Sequence, residues 1–229
     1  MASPHVSVLS LHGVSLQGRH AGALELDLAH REVALVELGD ESDAAGVIDI
    51  CLGMIEPLRG DVHCLGRPWR GQSYREMLAH RRLIGTLVDA QVWPASAPVA
   101  EVVLTARLYH TDQPEETAVA AATLLARRFG LPGLPVGGRE SVPPGELTRA
   151  ACVRAFLGAP EFVLIADPSV EAMGELGVAL AQAIGAVQDR GGAVLWLMSS
   201  IAAPAARFVA ADHVLRLDDR GLAPVRRRT

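Results

Sequence analysis

The sequence predicts an α/β protein: a largely parallel sheet with helices packed on it, and a helical stretch inserted near its middle. Three observations carry this. Apolar segments of strand length alternate with longer segments whose apolar residues recur at helical spacing. The run FVLIAD at 162–167 is aliphatic and β-branched between Pro160 and Pro168, as a strand buried on both faces is. At 229 residues, half of them hydrophobic, the chain can bury one large core, or one with a subdomain beside it.

Taken in order, apolar alternation marks strands near Val6–Leu11 and Ala23–Leu28, and a further strand at Val33–Val36. Ala44–Gly53 reads as a helix, with Val47, Ile48, Ile50 and Cys51 at helical spacing. Asp61–Leu65 is a short strand before the Gly66–Pro68 turn, and Leu83–Val88 is an apolar run suited to a buried strand. From Val99 to Gly130 the pattern is helical, with a break near Asp112–Pro114. Arg127, Arg128 and Gly130 supply a basic last turn and a stop. The Pro/Gly-rich link LPGLPVGG leads to a helix entered after Pro144. Beyond the 162–167 strand come a helix over Glu171–Arg190, a strand at Ala193–Met198 and a helix over Ala202–Ala210. Val214–Leu217 and a last strand before Arg226 close the chain. The helical stretch runs from about 90 to 158, and no internal repeat is visible.

Composition narrows the function classes. Acids outnumber bases, 26 against 21, for a formal net charge of −5, which argues against a general nucleic-acid binder. All the bases are arginine, and the chain has no lysine. Cys51, Cys64 and Cys152 are far apart without a CxxC pair and read as reduced core residues of a cytosolic protein. The eight histidines show no zinc-ligand spacing. The longest charge-free run, Gly191–Ala206, has 16 residues, short of the ~20 that span a bilayer. With no signal-peptide pattern at the N-terminus, the expectation is a soluble chain whose link to a membrane runs through a partner.

One stretch raises the functional question. LVELGDESDAAGVIDICLG, from Leu35 to Gly53, has the plan of a phosphate-gripping loop: an apolar strand, a short turn and a helix start. Such a loop ends in Gly-Lys-Ser/Thr, yet here it reads GDESDAAG. Two charges about 5 Å apart at an effective dielectric near 20 interact by about 3 kcal/mol, so Asp40, Glu41 and Asp43 repel a polyphosphate. Their spacing does not match a calcium loop.

Three further stretches carry a resemblance. GMIEPLRGDVHCLGRPW, GELTRAACVRAFLGAPEFVLIADPS and AADHVLRLDDRGL follow one another in order. They are similar to the region after the P-loop helix, to the signature helix with its Walker B strand, and to the closing strands of ABC-transporter ATP-binding subunits. Over nearly its whole length the chain resembles that family. The resemblance implies a P-loop NTPase-like (ABC ATPase) α/β core, a small N-terminal antiparallel β subdomain and a helical subdomain at 90–158, all in a single domain over 1–229.

The same resemblance assigns the nucleotide positions, and the residues standing there lack the required groups. Gly39, Ala44, Ala45 and Gly46 occupy the P-loop, with Ala44 and Ala45 where the phosphate-binding lysine and the magnesium-binding hydroxyl belong. Ala166 holds the magnesium-carboxylate position. Asp167 holds the general-base position, where it is either a base one methylene short or simply the cap of a turn. The signature falls on Val142, Pro143, Pro144, Gly145 and Glu146, and neither proline has an N–H to donate. The Q-loop position is Asp89, with Gln91 two residues on as a second register. Val170, Glu171, Ala172 and Met173 replace the D-loop, and Ser200 takes the place of the switch histidine. Each lost charge-assisted hydrogen bond is worth about 1.5–3 kcal/mol, so ATP–magnesium is expected to bind weakly or not at all.

These readings lead to an expected pseudo-ATPase, a scaffold or regulatory subunit of an ABC-type complex. Its partner would be a membrane permease or a second ABC ATPase subunit. The alternatives are a soluble interaction protein outside any transporter and a weak residual ATPase using Asp167. VAEVVLTARLYH is similar to a segment of phospholipid-trafficking (Mla/Mce-like) ATPases, which leans the cargo toward lipid. In the family a cleft between core and helical subdomain receives a permease helix. The aligned residues here are Asp89, Gln91, Val92, Trp93 and Pro94, with Trp93 either the anchor of that contact or a plug for its own loop.

Overall fold

The computed structural model describes residues 7–16, 22–40, 43–166 and 168–225. The N-terminal pair, β1 (Ser7–Ser15) and β2 (Leu24–Ala29), is antiparallel. In β2 the period is two: Leu24, Leu26 and Leu28 are buried while Glu25 and Asp27 face solvent. The expected start at Val6 lies outside the described residues. β3 (Val33–Leu38) runs to the loop that opens α1 (Asp43–Cys51). β4 (Arg59–Cys64) then pairs antiparallel with β1, and β5 (Arg67–Pro68) pairs with β4 where only a turn was expected.

α2 (Tyr74–Arg81) is a helix that apolar spacing does not predict, because too few of its residues are apolar. Its start is fixed by a capping box. Glu76 N–H donates to Ser73 Oγ, and Ser73 N–H donates back to the Glu76 carboxylate at 2.7 Å. The S-x-x-E pattern at Ser73–Glu76 was the available signal.

β6 (Ile84–Val88) is followed by α3 (Val99–His110), α4 (Glu115–Arg128) and α5 (Pro144–Phe156). Gly130 takes φ +81°, so the chain leaves α4 through a left-handed residue, and Leu131 N–H donates to Ala126 O at 2.9 Å. Gly85 lets α5 approach β6 closely: a Cβ there would run into the Ala155 carbonyl. After β7 (Phe162–Ala166) the single helix expected over Glu171–Arg190 is two, α6 (Pro168–Ala172) and α7 (Gly177–Asp189). Met173, at φ −87° and ψ +75°, is outside the helical region and breaks them apart. β8 (Ala193–Met198) is as expected. The helix expected over Ala202–Ala210 is only a 3₁₀ turn, Ala205–Phe208, started by Pro204 and ended by extended Val209. β9 (His213–Asp218) and β10 (Gly221–Pro224) close the chain.

Among the described residues the strands form two sheets. The smaller is antiparallel in the order β2-β1-β4-β5, and the larger runs β10-β9-β3-β8-β7-β6, parallel except for β10. The central strands send alternate residues into two separate cores. Val33, Leu35, Ile165 and Trp196 join the helices α3, α4, α5 and α7. Ala34, Val36, Leu164 and Leu197 join α1 and the small sheet. Cys51, Cys64 and Cys152 are buried free thiols, and burial pushes the Cys51 thiol up to about 12, consistent with inert core residues.

α1 is wedged between the two sheets. It buries Val47, Ile50 and Cys51 fully, and Ile48 only in part. Ile50→Ala should therefore cost about 2–5 kcal/mol in urea unfolding, and Ile48→Ala less than half of that. Equal losses would place the packed face of α1 elsewhere.

Candidate functional site

In a parallel sheet a ligand is gripped outside the carboxyl ends of the strands. Here β3, β8, β7 and β6 are successive neighbours, and their ends are Leu38, Met198, Ala166 and Val88. The fold thus brings to one edge of the sheet the P-loop positions after β3, the switch position Ser200 after β8, Ala166 and Asp89. Asp167 and Glu41 lie outside the described residues.

At the end of β3 the backbone is held by the protein itself. Gly39 N–H donates to Leu217 O at 2.8 Å, and Asp43 N–H donates to Asp40 O at 3.1 Å. Arg216 pairs with the mostly buried Glu37 at 2.9 Å. α1 starts with Asp43 and has an acid in its first turn, which complements the helix dipole that a phosphate would otherwise meet. Ala45 is exposed, while Ala44 and Gly46 are half-buried, and none of the three has a polar side-chain atom.

At the start of α5, Pro143 is the N-cap residue and makes no side-chain cap bond. Its carbonyl accepts Glu146 N–H at 2.9 Å and Leu147 N–H at 3.0 Å. Pro144 has no N–H, so the Gly145 amide is the donor that remains in this turn among the described residues. Thr148, one turn on, ties α5 to α6 through a 2.9 Å hydrogen bond between its hydroxyl and that of Ser169.

The loop after β6 is also self-contained. The Asp89 carboxylate accepts Gln91 N–H at 2.8 Å and caps the turn Ala90–Val92, while Arg139 donates to the Gln91 carbonyl. Trp93 is 7% exposed and belongs to the main core, so of its two readings, anchor or plug, its burial fits the plug at the base of its own loop. Its neighbour Val92, 73% exposed, is the apolar side chain that this loop presents, flanked by exposed Gln91 and Pro94.

Glu171, at one of the D-loop positions, makes a structural contact that the sequence did not reveal. It is 5% exposed, and both carboxylate oxygens accept Ser199 N–H at 3.0 Å, while the Ser199 hydroxyl donates as well. Ser200 Oγ accepts Ala202 N–H at 3.2 Å and shapes the same loop. A buried acid after β7 thus clamps the loop after β8. A carboxylate so far along the chain from its serine has no local pattern, which is why spacing alone did not flag it.

Among the described residues no group of three or more His, Cys, Asp or Glu side chains is placed to hold a metal ion, and no helix is long and apolar enough to cross a membrane. No protein-family model and no curated protein matches the sequence, whereas solved structures match the fold. MJ0796, a bacterial ABC transporter cassette solved as a dimer, aligns with TM-score 0.80 at 17% identity over 95% of this chain and 99% of its own. CbiO1 of Clostridium perfringens, part of the ABC transporter complex CbiONQ, aligns with TM-score 0.74 at 16% identity over 95% and 87%. An inward-facing metal-chelate type ABC transporter aligns with TM-score 0.71 at 17% identity over 96% and 83%. This chain has the P-loop NTPase-like fold of ABC ATP-binding cassettes.

The Glu171 clamp can be measured. Glu171→Ala removes the charged acceptor of the Ser199 N–H and hydroxyl and should cost about 2–3 kcal/mol in urea unfolding, whereas Ser199→Ala keeps the backbone bonds and should cost about 1 kcal/mol. Equal costs would mean that the backbone bonds contribute nothing.

Proposed function

We propose that this chain is a catalytically inactive homologue of ABC ATP-binding subunits, serving as a scaffold or regulatory subunit of an ABC-type transport complex. The single observation behind this is chemical. The positions that align with a cassette's nucleotide-gripping groups carry Ala44, Ala45, Ala166, Pro143 and Pro144, none with a polar side-chain atom. A triphosphate and its magnesium need a cation, a hydroxyl and a carboxylate at such positions. No lysine exists in the chain to supply the first. The residues present do not fit ATP–magnesium.

The partner would be a membrane permease or a second ABC ATPase subunit, with the loop Asp89–Pro94 among the contacts and Val92 as its exposed apolar residue. Lipid is the cargo class toward which the α3 segment VAEVVLTARLYH leans.

Calorimetric titration with ATP–magnesium tests the reading. Binding no tighter than about millimolar is expected, against the micromolar range of a working site. A micromolar dissociation constant overturns it. Turnover abolished by Asp167→Asn would favour a residual ATPase instead.

A further inference from the structure

Helix α2 and the turn before it close over the end of α1 through three side chains. Trp69, just after β5, donates through Nε1 to Cys51 O at 3.1 Å. Arg81, in the last turn of α2, donates through Nε to Leu52 O at 2.8 Å and through Nη2 to Gly53 O at 2.7 Å. These carbonyls belong to the last residue of α1 and the two after it, where helical partners run out. The third side chain is His80. Its ring centre lies 4.3 Å from that of Trp69, and the residue is 3% exposed.

The surroundings of His80 fix its protonation state. Gln72 Nε2 donates to Pro68 O at 2.6 Å, so the amide nitrogen has to face that carbonyl. The same nitrogen lies 3.2 Å from His80 Nδ1, which therefore accepts and carries no proton. A proton on Nδ1 would set two donors against each other. Turning the amide over would instead bring Gln72 Oε1, now buried without a partner among the described residues, against Pro68 O. The Trp69 ring already carries one cation, the Arg81 guanidinium 5.7 Å from its centre.

The charged groups around the ring are Arg67 of β5, Arg81 of α2 and Glu161 before β7. The Cys51 and Cys64 thiols of α1 and β4 stay neutral, because burial pushes both pKa values up. Burial holds the His80 pKa below that of a free imidazole. The Cys64 backbone and Glu161 oppose this, and the two guanidinium groups add to it.

We propose that His80 is an acid-operated latch: when its ring takes up a proton, α2 lifts from Trp69 and the Arg81 clamp on the end of α1 opens. The neutral ring is the one that fits. Stability held by the latch is therefore complete above the ordinary imidazole pKa of about 6.5 and is lost as pH falls below it. Because α1 is the helix behind the P-loop positions, the latch links acidity to that loop whether or not nucleotide binds there.

Hydrogen exchange of the full chain at about pH 7.5 and about pH 5.5, corrected for the intrinsic pH dependence of exchange, reads the latch directly. Protection over residues 52–54 and 74–81 should fall at least about tenfold at the lower pH, while the strands at 162–166 and 193–198 stay protected. His80→Phe keeps a flat ring on Trp69 and takes up no proton, and His80→Gln keeps an acceptor for the Gln72 amide. In both variants the acid-dependent loss should vanish. Their melting temperatures should also fall at least about 3 °C less between the two pH values than that of the unchanged chain. An acid response of full size in either variant overturns the proposal. So does unchanged protection of 52–54 and 74–81 in the unchanged chain, or a loss confined to 74–81, which would leave the clamp shut. A loss spread evenly over both sheets would be global acid unfolding and would overturn it as well.

Discussion

The fold depends on burying β3, β8 and β7 on both faces. Each strand sends odd and even residues into different cores, so nearly every position must be apolar. Phe162, Val163, Leu164 and Ile165 are all wholly buried, and so is most of Ala193–Met198. Transfer of that much apolar surface dominates the stability of the arrangement, and it is blind to what occupies the loops at the strand ends. Framework and chemistry are therefore separable in this architecture. The strands, α1 and α5 are kept by packing, while the turns that follow them are free to carry alanine, proline or acid.

What holds those turns is the second half of the account. Each is fastened by groups of the chain itself: Gly39 N–H to Leu217 O, Asp89 to Gln91 N–H, Pro143 O to the first turn of α5, and Glu171 to Ser199. The acid in the first turn of α1 answers the helix dipole.

Much of the fold was legible because burial writes a period into the sequence. The 162–166 strand, the alternation of β2 and the stop at Gly130 are read directly from residue order. The failures have local causes. α2 is specified by its cap and not by an apolar stripe, so periodicity passes over it. Ala202–Ala210 is rich in helix-forming alanine, yet Pro204 and extended Val209 confine it to one turn. At the site, the missing groups at Ala44, Ala45, Ala166 and Pro143 are visible in sequence, because an absent side-chain group needs no coordinates. The Glu171–Ser199 clamp and the burial of Trp93 are products of tertiary structure, joining residues far apart in the chain.

The central claim is that these loops are ordered by the protein and not by nucleotide. Amide hydrogen exchange of the full chain, with and without a few millimolar ATP–magnesium, tests it most directly. The account predicts unchanged protection over residues 43–51, 144–148 and 199–203, with Glu171→Ala raising exchange in the last of these whether or not nucleotide is present. Strong nucleotide-dependent protection at the starts of α1 and α5 would contradict it.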